Sequence, residues 1–358
     1  MSNRKSILFI LPDLETGGAE RIVMTLANNL PRDRFDPKIM LLRKEGGYLQ
    51  YIKKDVEIID LNIQRIRNSL PFIIKEIRKR KPNIVFSGFG EVNAYISMFV
   101  KLFPKTKFIA RETNVVSEHV TRKEIRFFYK FYNNYQQIIC QSDDMMKDLV
   151  ANFDIKSNKI VKINNPVDFD FIEEKLKNTL RPDSYTQSFK NVVAIGNLSA
   201  RKGFDNLLKV FSRLKNENIL LHILGDGRDK EMLQQLKDML GLKKVIFHGR
   251  QENPYMFLKH ADLFVLSSRY EGFPNVLLEA GACGTYSLAN NCPGGINEII
   301  VNGINGEVSD IENHEQFSQD ILRIVHESHN ALSVQNSIQS RFSKDIIIAK
   351  YIDAFENL

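Results

Sequence analysis

A chain of 358 residues, 43% hydrophobic and 26% charged, exceeds one ordinary core and fits two soluble globular domains of about 150 to 200 residues. Its three cysteines, Cys140, Cys283 and Cys292, are widely spaced with no Cys-x-x-Cys pair, which argues against a zinc site or disulfide framework and for a reducing cytoplasm. The formal charge of +7 is unevenly held: residues 1–164 carry 29 Lys and Arg against 18 Asp and Glu, whereas residues 165–358 carry 21 against 25. The N-terminal half therefore suits an anionic partner: a phospholipid surface, a diphosphate-linked acceptor or nucleic acid.

The run Ser6-Ile-Leu-Phe-Ile-Leu11 is too short for a signal-peptide core or a membrane span and predicts a buried first strand. Short β-branched runs at 38–42, 57–60, 84–87, 108–110 and 137–141 follow, alternating with helical stretches, as in a parallel sheet with crossover helices. Segments 65–81 and 121–135 are basic, and the second adds six aromatic residues, the composition of an interfacial helix on anionic lipid. The rival expectation for 121–135 is a core-packed helix.

A second strand series begins after about residue 190, at 192–195, 220–224, 245–248, 263–266, 286–289 and 306–308. Two doubly wound α/β units in series are expected, 1–165 and 166–341, with the change-over near Asn165-Pro166-Val167-Asp168. The final stretch, 342–358, spaces Ile346, Ile347, Tyr351, Ile352 and Phe355 as an amphipathic helix that packs back across the junction.

In open parallel sheets ligands bind beyond the carboxyl ends of the strands, so the loops after each strand carry the function. After the first strand, Asp13-Leu-Glu-Thr-Gly17-Gly18-Ala-Glu-Arg21 places a glycine pair at a helix start, where backbone N–H groups can approach a phosphate or sugar. Packing alone is the alternative, and the dinucleotide fingerprint Gly-x-Gly-x-x-Gly is absent. In the second half, Gly196-Asn-Leu-Ser-Ala-Arg201-Lys202-Gly203 offers two adjacent cations that can neutralise a departing diphosphate. Gly225-Asp226-Gly227 and Gly249-Arg250 are strand-end turns that admit a flat base or a phosphate. In Glu271-Gly-Phe-Pro-Asn-Val-Leu-Leu-Glu279, one carboxylate precedes a helix starting near Pro274 and the other lies inside it. That layout suits a ligand with hydroxyls at both ends and phosphates between them, a nucleotide-sugar. Cys292-Pro-Gly294-Gly295-Ile-Asn-Glu298 is a further glycine-rich loop leading into a helix.

Together and in this order, Gly17-Gly18-Ala-Glu-Arg21, Arg201-Lys202-Gly203, Gly225-Asp226-Gly227, Glu271 with Glu279, and Gly294-Gly295-Ile-Asn-Glu298 resemble the retaining glycosyltransferases of family 4, across essentially the whole chain. The resemblance implies a GT-B fold: two Rossmann-like domains facing a central cleft, the C-terminal one holding the sugar donor, the N-terminal one the acceptor, with no metal ion or other cofactor. It implies that Arg201 and Lys202 hold the donor diphosphate, Glu279 the ribose hydroxyls and Glu271 the donor sugar. Gly272, Phe273 and Asn275 would lie beside that sugar, and the Val276 and Leu277 amides would meet the phosphates. Gly17 and Gly18 would approach from the opposite domain, and Gly225 and Arg250 would belong to the nucleotide side. The sequence departs from the family at Asn197, where many members have Arg, and at Thr113, which stands where many have a His near the donor sugar. His119 lies too far along the chain to be expected in its place.

The function implied is transfer of a hexose or N-acetylhexosamine from a nucleoside-diphosphate sugar, a UDP-sugar first and a GDP-sugar second, to a polyprenyl-diphosphate-linked or other glycan acceptor in surface polysaccharide synthesis. The chain would work in the cytoplasm, peripherally at the inner face of the cell membrane, with no nucleic acid involved. A non-catalytic GT-B partner subunit and a nucleotide-sugar epimerase are the competing readings. The first usually loses the cation pair or the glutamate pair, both present here, and the second needs additional acids and bases that the sequence does not display.

Overall fold

The computed structural model describes residues 4–15, 17–177 and 179–358; Thr16 of the glycine-pair loop lies outside them. Two compact units form, one from 1–166 with 344–358 and the other from 167–343.

The first unit contains β1 (Lys5–Leu11), β2 (Phe35–Leu41), β3 (Glu57–Asp60), β4 (Ile84–Ser87), β5 (Lys107–Arg111), β6 (Gln137–Cys140) and β7 (Ile160–Lys162). They assemble in the order β3-β2-β1-β4-β5-β6-β7, and every pairing is parallel. Helices cover both faces, which is why Ile7–Leu11 of β1 and Ile84–Phe86 of β4 are continuously apolar instead of alternating with polar residues. Side chains still alternate in direction: Leu8 and Ile10 enter one core, while Ile7, Phe9 and Leu11 enter the other. The C-terminal helix Lys344–Glu356 belongs to this second core. Phe355 meets the rings of Phe9 and Phe86 with centroids 6.5 and 6.0 Å away. Ile347, Ile348, Tyr351, Ala354 and Phe355 are buried, whereas Ile346, expected on the apolar face, is exposed. Buried Arg111 ties the sheet to this helix, donating from Nε to the Tyr351 hydroxyl at 3.2 Å and from Nη2 to Asn165 Oδ1 at 2.6 Å.

The second unit contains β8 (Lys190–Ile195), β9 (Ile219–Leu224), β10 (Val245–Gly249), β11 (Leu263–Leu266), β12 (Ser287–Asn290) and β13 (Gly306–Ser309). Their order is β10-β9-β8-β11-β12-β13, again all parallel. In each sheet the order reverses beside the first strand of the unit, between β1 and β4 and between β8 and β11. Such a switch point is where the loops at the carboxyl ends part and leave a crevice for a ligand.

Segment 121–135 is not a single interfacial helix. It forms a helix Lys123–Phe128 and a 3-10 segment Tyr129–Asn134 capped by Tyr135, and Tyr129, Tyr132 and Tyr135 are fully buried. A three-residue repeat aligns side chains on one face of a 3-10 helix, and that face is the core. Phe127 stays exposed.

Candidate active site

The loops after β8 and β11 meet at the switch point of the second unit. Ala200–Lys202 forms a 3-10 turn ended by Gly203, whose φ of +64° is left-handed. A Cβ on Gly203 would lie 2.1 Å from the Ser267 carbonyl oxygen, so only glycine lets the loops come this close. The Ser267 hydroxyl donates to the Lys202 carbonyl at 2.8 Å, and the Arg269 N–H to the Arg201 carbonyl at 2.8 Å. The Arg269 guanidinium also pairs with Asp205 at 2.7 Å. These bonds aim both cations at one carboxylate.

That carboxylate is Glu271, which is 4% exposed. Its Oε2 accepts from Arg201 Nη1 at 2.7 Å, and its Oε1 accepts from Lys202 Nζ at 2.5 Å and from the Ser268 hydroxyl at 2.6 Å. Burial disfavours the ionised carboxyl, but the charges of Lys202 and Arg201 outweigh it and hold the pKa at about 2. Glu271 is thus an anion at any physiological pH, and the cluster keeps a net charge of +1.

The loop 292–298 packs on Glu271 from the other side. The Glu271 N–H donates to the Pro293 carbonyl at 2.9 Å, and the Gly295 N–H to the Gly272 carbonyl at 2.9 Å. Side chains on Gly294 or Gly295 would strike the Glu271 carbonyl or the Phe273 ring. The helix Asn275–Ala282 then starts after Pro274 and carries the half-buried Glu279 in its second turn. The Leu277 N–H donates to the Pro274 carbonyl at 3.1 Å, so this amide, expected to meet a phosphate, is engaged within its own turn. Gly225 is locked under the first loop, where a Cβ would lie 1.9 Å from the Gly196 carbonyl oxygen, and exposed Arg250 follows β10.

In the first unit Gly17 caps the helix Gly18–Asn29. A Cβ on Gly17 would collide with the Glu20 carboxylate, so packing against this buried acid is one reason for glycine here. Asp13 in the same loop pairs with Arg43. Thr113 and His119 line one pocket at the carboxyl ends of β4 and β5, a convergence that six residues of chain separation conceal. Three site residues escaped the sequence reading: Ser268, Arg269 and Glu112, the last at the edge of that same pocket. Ser268 and Arg269 stand directly after a strand, so the rule that picked out the other loops applies to them too.

Two family profiles match in tandem, Glycosyltransferase Family 4 over residues 16–171 and Glycosyl transferases group 1 over residues 179–341. The chain belongs to the family 4 glycosyltransferases. Its relatives include an uncharacterised glycosyltransferase of Methanocaldococcus jannaschii, 32% identical over 65% of this chain and 61% of that one. The N-acetylgalactosamine-N,N'-diacetylbacillosaminyl-diphospho-undecaprenol 4-alpha-N-acetylgalactosaminyltransferase of Campylobacter jejuni is 25% identical over 92% of each chain. Anabaena HepE, solved in complex with UDP and glucose, superposes with a TM-score of 0.82 at 19% identity, covering 98% of this chain and 99% of that one. The fold of this glycosyltransferase is GT-B.

Proposed function

We propose that this glycosyltransferase moves a hexose or N-acetylhexosamine from a UDP-sugar to a polyprenyl-diphosphate-linked glycan in surface polysaccharide synthesis, with retention of configuration and without a metal ion. The observation that carries the donor half is the buried Glu271–Arg201–Lys202 cluster at the switch point. Two preorganised cations sharing one carboxylate form an anion seat beside a helix start, which is what a departing diphosphate needs. HepE was solved with UDP, and the Campylobacter jejuni relative is named for a diphospho-undecaprenol acceptor; both favour these substrates here.

The anomeric carbon–oxygen bond to the diphosphate breaks as the acceptor oxygen bonds to the same face of that carbon, and the acceptor proton passes to the departing phosphate. No protein base is needed, so rate comes from positioning and charge stabilisation. Exposed Phe72, Met98, Leu102 and Phe127 lie on segments that also carry exposed Arg67, Lys75, Arg78, Lys79, Lys101 and Lys130, and Lys130 sits over the Phe127 ring. Apolar side chains within a cationic surface suit the anionic inner face of a cell membrane, where a polyprenyl acceptor is anchored.

The test is nucleoside-diphosphate release from UDP- and GDP-sugars with a membrane lipid extract as acceptor. One donor should support release that depends on the extract. Absence of release from every donor, with none bound, would exclude a transferase and favour a non-catalytic partner.

A further inference from the structure

The loop that packs on Glu271 runs straight into a helix of four residues, Ile296–Ile299. One turn of helix does not hold itself in place, because nucleation is unfavourable until propagation repays it, so its position is set by what grips it. Gly295, which has no side chain to cap with, stands at its start. The grip comes from Arg341 and Phe342, the last two residues of the helix Ala331–Phe342.

Arg341 holds one end of the short helix. Its Nη1 donates to the Glu298 carbonyl and its Nη2 to the Ile299 carbonyl, both at 2.8 Å. A planar guanidinium spans two successive carbonyls, which the point charge of a lysine does not. The arm itself is fixed, since Nε donates to the Ser337 carbonyl at 2.7 Å and Nη2 to the Ser337 hydroxyl at 3.0 Å. Phe342 holds the other end. Its ring meets that of Phe273 edge-on with centroids 5.4 Å apart, and Phe273 lies so close over Gly295 that a Cβ there would come within 2.2 Å of its Cδ2. Both rings are buried, and the Phe342 carbonyl accepts from the Val167 N–H at 2.8 Å, which ties down its backbone. Two consecutive residues of one helix thus clasp a neighbouring turn at its start and its end, and from that start the Gly295 N–H bonds the Gly272 carbonyl.

We infer that Arg341 and Phe342 are positioning residues for the donor sugar: by clasping the helix Ile296–Ile299 they hold loop 292–298 against Glu271, Gly272 and Phe273 and fix those residues relative to the sugar. This deepens the transferase reading and rests on it. Both residues act through the loop and not on the ligand. The turn that carries Arg201 and Lys202 has supports of its own, the bonds from Ser267 and Arg269. Loosening the clasp therefore lets the sugar drift out of line with its acceptor while the cations keep the diphosphate, and small misplacements of reacting atoms are costly in rate. Turnover, not diphosphate affinity, carries the signature.

The experiment measures nucleoside-diphosphate release by the full chain at saturating membrane lipid extract and saturating donor, the UDP-sugar that wild type uses fastest. Wild type, Arg341→Ala, Arg341→Lys and Phe342→Leu are compared, with rates expressed per folded molecule from denaturant unfolding and UDP affinity taken by calorimetry. Arg341→Ala should turn over about tenfold more slowly or worse, and Phe342→Leu about threefold more slowly, the worth of one aromatic pair. UDP affinity should stay within about twofold of wild type in both. Arg341→Lys, which still reaches one carbonyl, should fall between wild type and Arg341→Ala. Wild-type turnover per folded molecule in Arg341→Ala overturns the inference and leaves Arg341 a helix cap only. So does a loss of UDP affinity in step with turnover, which would make the pair a general support of the second unit. Should Arg341→Ala fail to fold, Arg341→Lys and Phe342→Leu carry the same comparison, and wild-type turnover in both is the overturning result. If wild type releases nothing from any donor, the transferase reading fails first and this one with it.

Discussion

Glu112 and Glu271 are equally deep, 3% and 4% exposed, each in a loop after a parallel strand, and their neighbours drive them in opposite directions. Glu271 faces Lys202 and Arg201, and its pKa falls to about 2 despite burial. Glu112 faces two tyrosine hydroxyls and an asparagine amide, and there burial prevails and pushes its pKa up. Two cations bonded to the carboxylate outweigh desolvation, whereas neutral hydrogen bonds and the charge of Arg111, which is bonded elsewhere, do not. The first environment makes a permanent anion that holds two cations together. The second makes a carboxyl group that holds its proton more tightly than an ordinary glutamate.

Removing the charge of Glu271 should have the largest effect. Relative to an ordinary glutamate at 4.5, a pKa of about 2 corresponds to roughly 3 kcal/mol, and breaking a buried ion pair costs a similar amount. Glu271→Gln should therefore lose about 3 kcal/mol at pH 7 in denaturant unfolding. The sign follows from the depressed value: the stabilisation is complete above the unfolded pKa and disappears as pH falls through the folded one. The gap between wild type and Glu271→Gln should close between pH 4.5 and 2. A gap that widened on acidification would deny the ion cluster its role. For Glu112 the sign is reversed, since a raised pKa means stability declines as pH rises through it, so Glu112→Gln should lose least near neutral pH.

Lys202→Ala comes next: losing one preorganised donor to the leaving group lowers turnover on the order of 10²-fold, about 2.7 kcal/mol in the barrier. Near-wild-type release would remove the cation pair from the mechanism. Gly203→Ala forces a side chain into left-handed backbone against the Ser267 carbonyl and should cost about 2 kcal/mol of stability, with a fall in turnover because the same loop aims Arg201 and Lys202. Unchanged unfolding would mean that the loops adjust freely. The smallest effect is at the surface proposed to meet the membrane, where Phe127→Ala should weaken binding to anionic vesicles about fivefold, near 1 kcal/mol. Binding that ignores both this change and rising salt would contradict an electrostatic, partly inserted contact.

The sheets were legible because their strands are buried on both faces and read as short apolar runs between helical stretches. β7 was not, since Ile160–Lys162 is three residues long and ends on a lysine at the sheet edge. The donor-side loops were legible through glycines whose absent side chains allow contacts such as Gly203 on Ser267 and Gly225 on Gly196. Composition misled at 121–135, where tyrosines beside cations look interfacial. The three-residue spacing of Tyr129, Tyr132 and Tyr135 held the better clue, because it matches a 3-10 turn with one buried face. Glu112 was silent in sequence because a lone acid after a strand has many uses. Only the tertiary placement of Asn93, Tyr129 and Tyr132 shows what holds its carboxylate.

The most direct test of the contrast between the two glutamates is calorimetric titration of UDP into wild type, Lys202→Ala and Glu112→Gln. UDP affinity should fall about tenfold or more in Lys202→Ala, the loss of one charge-assisted contact, and stay at the wild-type value in Glu112→Gln. Equal affinity in all three, or a loss in Glu112→Gln alone, would place the diphosphate elsewhere than at the Glu271 cluster.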